Sequence, residues 1–328
     1  MTSAYDDEMT LAAATTAITT TRNSSLAPPR SCDPDSGAQT LLCFLFFAEI
    51  LIGSAALLLN CVATISSYYA LPMALNPRQS LGAISLNYAL ISGVLLARAS
   101  FVVFQVFTTC NSTVSTSNCK LQEYPLVFVY MNAALLSILL GLQFLRRHNE
   151  SLKRIYWYNA CNIQQIFVAI CSMFISLFFT GFDEELENKY MRHCTIIRAI
   201  HQKAMTFGLL ALLIAFHAFG LFVWQVVMRI RGPARADYSL AEIGSQFCLE
   251  SVGWEFLLIT TGFLSVYEYI YANVDDLLLN FAYEATLVLC PLILCFIRAI
   301  ILIWTVVPVR FATIRIFPFS SHLLHFDY

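Results

Sequence analysis

Apolar residues gather along this chain in long blocks, separated by short polar or proline-containing stretches. A helix needs about 20 such residues to cross the hydrocarbon core of a bilayer. Seven blocks qualify: Leu41–Ile65, Leu81–Phe107, Tyr124–Leu145, Asn159–Thr180, Met205–Met228, Phe247–Ala272 and Phe281–Val306. Lipid offers no partner to open backbone groups, so each block predicts a helix. The expected fold class is an all-α membrane protein, a seven-transmembrane helix bundle over residues 41–306. Residues 1–40 break the pattern. They are rich in Thr, Ser and Ala, with Asp6, Asp7 and Glu8 near the start, and predict a disordered tail. No basic stretch precedes a short apolar core there, so no cleavable signal peptide is expected. Residues 307–328 are expected to form a short cytoplasmic tail that can fold as an amphipathic helix.

Basic residues orient the bundle. With the amino terminus outside, the cytoplasmic segments hold Arg78, Arg146, Arg147, Lys153, Arg154, Arg229, Arg231, Arg235, Arg310 and Arg315, which is ten. The outer segments hold seven, and those in the 181–204 loop stand beside Asp183, Glu184, Glu185 and Glu187. The bias has the sign of the positive-inside rule. It places the amino terminus outside and the carboxyl terminus in the cytoplasm. Cysteine agrees. Seven of the eleven lie in blocks (Cys43, Cys61, Cys161, Cys171, Cys248, Cys290 and Cys295) and read as small buried hydrophobes. The other four, Cys32, Cys110, Cys119 and Cys194, all fall on the outer side, where an oxidising medium favours disulfides. Four cysteines admit three connectivities; the preferred one joins Cys119 to Cys194, with Cys32 and Cys110 as the remainder. Asn23 and Asn111 open outward-facing glycan sequons, whereas Asn149 opens one that stays bare if its loop is cytoplasmic.

Ionisable residues inside a span are rare and usually turn to the bundle interior. Glu49, Arg98, Glu255 and Arg298 lie well inside; Glu250, Glu268 and Glu284 lie nearer the ends. Glu49 and Arg98 sit at matched depths, roughly 12–14 Å below the outer ends of the first two spans, and are expected to pair or share a polar cavity. Glu255 and Arg298 match in depth above the inner face and are expected to form a second pair, either an inner lock or a static bridge. Phe101, Phe104, Tyr130, Tyr267, Tyr271 and Tyr283 gather toward the outer half. They form either an interfacial belt or an apolar ligand pocket with Glu268 and Glu284 at its mouth. His217 is expected to be a bonded interior histidine and not a metal ligand.

Composition narrows the class. The chain is 58% hydrophobic and 12% charged, against about 25% charged in soluble domains. A formal net charge of −2 gives no sign of nucleic-acid binding. No phosphate loop, CxxC, HExxH or GxSxG motif occurs, so neither an enzyme nor a metal or other cofactor is expected.

Several motifs carry a resemblance. Leu59-Asn60-Cys61-Val62 resembles the Gly-Asn-x-x-Val of rhodopsin-like receptors, and Cys290-Pro291 resembles their Asn-Pro-x-x-Tyr, with Leu294 in place of Tyr. Gln143-Phe144-Leu145 stands where those receptors carry an acidic-Arg-aromatic triplet, and no proline lies near Trp254. Leu142-Gln143-Phe144, the run Gln246-Phe247-Cys248-Leu249-Glu250-Ser251 and the closing His325-Phe326-Asp327-Tyr328 resemble, in order, motifs of nematode serpentine chemoreceptors of the Sra group (Sra, Srab, Srb and Sre). That resemblance covers the chain from about residue 40 onward. It implies a plasma-membrane chemosensory receptor, with a sensory cilium as one location, binding a small-molecule ligand in the outer half and a heterotrimeric G protein at the cytoplasmic face. Arg146, Arg147, Arg229 and Arg231 would border the G-protein surface; Arg146 and Arg147 also suit lipid headgroup anchors. The alternative is a transporter or channel that uses the intramembrane Glu and Arg, although no internal repeat or matched pair of broken spans is seen.

Overall fold

The computed structural model describes residues 37–71, 73, 75–109, 114–148, 161–181, 190–191, 194–200, 203–231, 238–271 and 277–320. The helices are α1 (Gly37–Tyr68), α2 (Leu75–Thr109), α3 (Thr116–His148), α4 (Cys161–Thr180), α5 (Lys203–Arg231) and α6 (Tyr238–Ile270). Then comes α7, an α-helical Leu277–Glu284, a π turn Ala285–Leu289 and an α-helical Cys290–Thr305. A short α8 (Val307–Ile316) follows. Seven of these, α1 to α7, are long and apolar enough to cross a membrane, so the seven expected spans are all present. The third begins earlier than expected: its apolar stretch is Thr116–Gln143, with Ser115 Oγ accepting the Asn118 amide at its start. One departure from pure helix is a two-residue antiparallel ladder, β1 (Val114–Ser115) with β2 (Tyr190–Met191).

The helices close a ring. α1 packs on α2 and α7, α2 on α3, α3 on α5, α5 on α6 and α6 on α7, while α4 sits outside the ring against α3. α4 therefore exposes Ile163, Ile166, Phe167, Ile170, Phe174 and Phe178. A surface this apolar would drive association in water, whereas lipid tails match it. The chain is a multi-pass membrane protein.

Because apolar burial does little to hold helices together in lipid, small residues and interhelical hydrogen bonds take a larger share. Gly82 is one contact of this kind: a Cβ there would stand 2.7 Å from the Tyr68 ring, so α2 meets α1 closely only without a side chain. Asn60 donates to the Ala56 carbonyl in its own helix (2.8 Å) and to the Cys295 carbonyl of α7 (3.0 Å). Asn87 donates to the Val129 carbonyl (3.1 Å) and accepts from Asn132 (2.6 Å), whose amide oxygen in turn accepts from Ser172 of α4 (3.4 Å). Gln143, where the resemblance expects an acid, clamps the same three helices at their other end. It accepts from Ser80 and donates to Gln164 (3.1 Å). α8 packs on α1, with Thr313 donating to Ser66 (2.8 Å). In it Arg310 is buried and Phe311 exposed.

Asn60→Leu should lower stability by about 1 kcal/mol, the scale of an interhelical hydrogen bond in a membrane. Thermal unfolding in detergent checks this; an unchanged midpoint would mean that Asn60 contributes nothing to the α1–α7 contact.

Candidate functional site

Two buried ion clusters lie in opposite halves of the bundle. The first is at the disulfide end. Cys119, in the first turn of α3, is bonded to Cys194 across 75 residues, with 5.4 Å between Cα atoms. The ladder ties the same two segments just beside it, because β1 leads into α3 and β2 lies three residues before Cys194. Gly181, in the left-handed region with φ 43°, ends α4, and its carbonyl accepts from the buried Lys120 of α3. Gly181, β2 and Cys194 are thus each tied to the start of α3 or to the strand that leads into it.

Arg98 of α2 points into this end. Its Nε donates to Glu123 Oε1 of α3 (2.6 Å). Nη1 and Nη2 hold both carboxylate oxygens of Glu284 of α7, the second at 3.1 Å, and Nη2 also donates to the Cys194 carbonyl (3.0 Å). One guanidinium thereby joins three helices and the disulfide segment in a planar fork that only Arg supplies. Glu49 of α1, expected to pair with Arg98, shares its surroundings and not its bonds. It lies within electrostatic reach of Glu284, Arg98 and Glu123, yet neither of its oxygens has a hydrogen-bond partner. Depth was matched correctly, but Glu123 and Glu284 stand closer to the Arg98 fork. Glu284 is a member of the ion cluster and not the mouth of an open pocket.

The second cluster lies toward the other end. Arg298 of α7 pairs with Glu250 of α6 (3.2 Å), donates to Ser85 of α2 (3.0 Å), and sits with Cζ 4.7 Å from the Tyr88 ring centre. This corrects the expected Glu255–Arg298 pair. Glu250 and Glu255 are five residues apart, which turns them about 140° around a helix. Glu255 faces α5 at the Ala218 backbone. Gln246, Leu249, Leu294, Ile297 and Ile301 join Glu250, Arg298 and Tyr88 around a groove between α6 and α7.

Side chains connect the clusters. Pro291 has no N–H, so the Leu287 carbonyl, four residues back, loses its usual helical donor. The hydroxyl of Tyr130 supplies one at 2.5 Å. The Tyr130 ring meets Trp254 edge-on at 5.1 Å, and Trp254 Nε1 donates to the Tyr88 hydroxyl at 3.0 Å. Tyr88 in turn donates to Glu250. His217 is buried and stacked on Trp254 at 5.5 Å, and its Nδ1 has no hydrogen-bond partner.

The expected aromatic pocket divides. Tyr130 (4% exposed) and Tyr283 (0%) are interior, and Tyr283 donates to Glu268 (2.9 Å), which Arg198 also meets at 3.5 Å. Phe101, Phe104, Tyr267 and Tyr271 are 54%, 66%, 45% and 54% exposed on the outside of the bundle. They are therefore not interior residues of the bundle. Among the described free cysteines only Cys295 is buried, and Cys61 is exposed. Arg229 is exposed near the end of α5. Arg146, Arg147 and Arg231 lie in the last turns of α3 and α5, with side chains outside the described set. The Cys32–Cys110 pair, the sequons at Asn23, Asn111 and Asn149, the 1–36 tail and residues 321–328 also lie outside the described residues.

Glu123, Tyr88 and the Asn87–Asn132 pair escaped the sequence reading. Glu123 was lost because the third span was begun one residue after it; Cys119, if taken as the helix opening, would have brought it inside. Tyr88, Asn87 and Asn132 are polar residues deep in apolar blocks, a signal present but outweighed by formal charge.

No family model matches the chain. It is 32% identical over 279 residues, 84% of this chain and 77% of the other, to a Caenorhabditis elegans protein described as uncharacterized protein T09B9.5. By class, then, the chain is a seven-helix multi-pass membrane protein. It belongs to the family of that nematode protein.

Glu250→Leu should destabilise the bundle by about 3–5 kcal/mol, because it leaves the Arg298 charge buried and unpaired. Glu255→Leu should cost far less. Thermal melts of the two variants in the same detergent check this, and equal losses would contradict the assignment of Glu250 as partner. Replacing Cys119 and Cys194 together by Ser should cost about 2–4 kcal/mol, read in the same assay; a melt that matches the parent would mean that the bond holds nothing.

Proposed function

We propose that the protein is a G-protein-coupled chemosensory receptor, similar to the nematode serpentine Sra group. It binds a small molecule in the disulfide half of the bundle and signals from the opposite end. In this reading the amino terminus and the disulfide face the outside of the plasma membrane, and the carboxyl terminus faces the cytoplasm. An oxidised Cys119–Cys194 pair supports that orientation. So do the basic residues that gather at the opposite ends of α3 and α5.

The observation that carries the proposal is the line of side chains from Arg98 to Arg298. Arg98 holds Glu284, and the π turn follows Glu284 directly. Tyr130 holds that turn at Leu287, and contacts pass through Trp254 and Tyr88 to Glu250 and Arg298. A ligand that rearranges the first cluster changes the support of the π turn, and with it the α6–α7 contact below. The shift can be no larger than the ligand's differential affinity for the two arrangements. The partner surface would include Arg146, Arg147, Arg229 and Arg231.

The second reading, a transporter or channel, is favoured by the unpartnered Glu49 inside the membrane. Two assays separate them. A ligand screen in cells with a second-messenger readout, followed by nucleotide exchange on a purified G protein, should respond to ligand. Uptake or current in proteoliposomes without exchange would replace the receptor by the second reading. Tyr88→Phe removes the link between Trp254 and Glu250, and should lower ligand-stimulated exchange by about tenfold while ligand binding persists. Exchange at the parent's level would exclude the line of contacts as the route.

A further inference from the structure

Glu49 is a buried carboxyl without a partner. It is fully buried in α1, and both carboxylate oxygens lack a hydrogen-bond partner. Oε2 of Glu123 is also buried and unpartnered. The guanidinium of Arg98 directs its hydrogen bonds at Glu123, Glu284 and the Cys194 carbonyl, and none at Glu49. Three carboxylates therefore share one guanidinium, and Glu49 stands within electrostatic reach of all three other groups. An isolated carboxylate in a medium of low dielectric is costly, so such a group either takes up a proton or meets a positive partner.

The geometry limits what that is. Among the described residues no group of three or more His, Cys, Asp or Glu side chains converges as metal ligands do, and calcium or magnesium would need at least six oxygens. An ammonium group needs only carboxylate acceptors for its N–H donors, and Glu49 offers two free oxygens while Glu123 offers one. We propose that Glu49, in the same buried cluster as Glu123, is the counter-ion for a protonated amine, and that the ligand is a small organic cation of the alkylammonium class. The proposal rests on reading the disulfide half as the ligand end. Because Glu49 is fully buried, the cation is compact, on the scale of methylammonium. Its arrival adds a positive charge next to Arg98, which weakens the hold of Arg98 on Glu284 and so reaches the π turn.

The test uses the full chain in lipid nanodiscs. Methylammonium chloride is titrated by thermal shift and by competition with radiolabelled methylamine, against sodium chloride and methanol at matched concentration. Methylammonium should raise the melting temperature saturably, whereas sodium and methanol should not. Glu49→Gln should fold and melt at least as high as the parent without amine, since it removes an unpaired charge, but bind methylammonium at least about tenfold more weakly. Glu49→Asp, which keeps the charge, should retain part of the binding. No saturable shift in the parent, or equal affinity in Glu49→Gln, overturns the proposal. Stabilisation by sodium but not by methylammonium overturns it in favour of a metal ion. A melt that rises on acidification to the Glu49→Gln value, with no amine effect, overturns it in favour of a proton. Amine binding without G-protein exchange keeps the counter-ion and removes the receptor reading. Exchange driven by a neutral compound, with no amine binding, does the reverse.

Discussion

A guanidinium inside a bilayer dictates much of what surrounds it. Arg98 cannot reach water, and its charge persists only if fixed partners accept its donors. Those partners are Glu123 on α3, Glu284 on α7 and the carbonyl of Cys194. Each requires another element to be in place. Glu123 is one turn after Cys119, so the disulfide and the Arg98 fork fix the same part of α3. Glu284 ends the first segment of α7, so the fork also fixes the helix just above its π turn. A buried ion pair adds little net stability over an apolar replacement, but once one partner is present the others become obligatory. The disulfide end is in this sense built around a single side chain.

The opposite half repeats the logic with less symmetry. Arg298 has one carboxylate, one hydroxyl and one aromatic face: Glu250, Ser85 and Tyr88. Tyr88 belongs both to this cluster and to the contact with Trp254. Between the clusters, Pro291 opens the α7 ladder, and Tyr130 of α3 fills the gap it leaves at Leu287. The connection is made of hydrogen bonds and ring contacts with definite geometry, a form in which a small displacement produces an alternative arrangement and not a graded one. In the proposed receptor, this connection is the route between the disulfide half and the other end.

Seven spans were legible because apolar length is a one-dimensional property, and the membrane enforces it. The Cys119–Cys194 bond was legible because oxidation separates cysteines by compartment. Pairing inside the bundle was not, because it depends on the direction a side chain takes around its helix. Glu255 and Arg298 match in depth and miss in direction, whereas Glu250 matches in both once the length of the Arg side chain is allowed for. Phe101, Phe104, Tyr267 and Tyr271 failed as pocket residues for the same reason: an aromatic near the end of a span suits the lipid surface as well as the interior. Glu49 was the instructive case. The sequence placed it at the right level, and the structure shows it left over after Arg98 has chosen other partners.

The most direct test of this account is a double-mutant cycle between Arg98 and Glu284 in a lipid environment, with Arg98→Met, Glu284→Leu and the combined variant melted alongside the parent. The account requires each single change to be severe and the double change to recover much of the loss, with a coupling energy of about 2 kcal/mol or more. Losses that simply add would show that Arg98 and Glu284 act independently, and the cluster could then not be what organises the disulfide end.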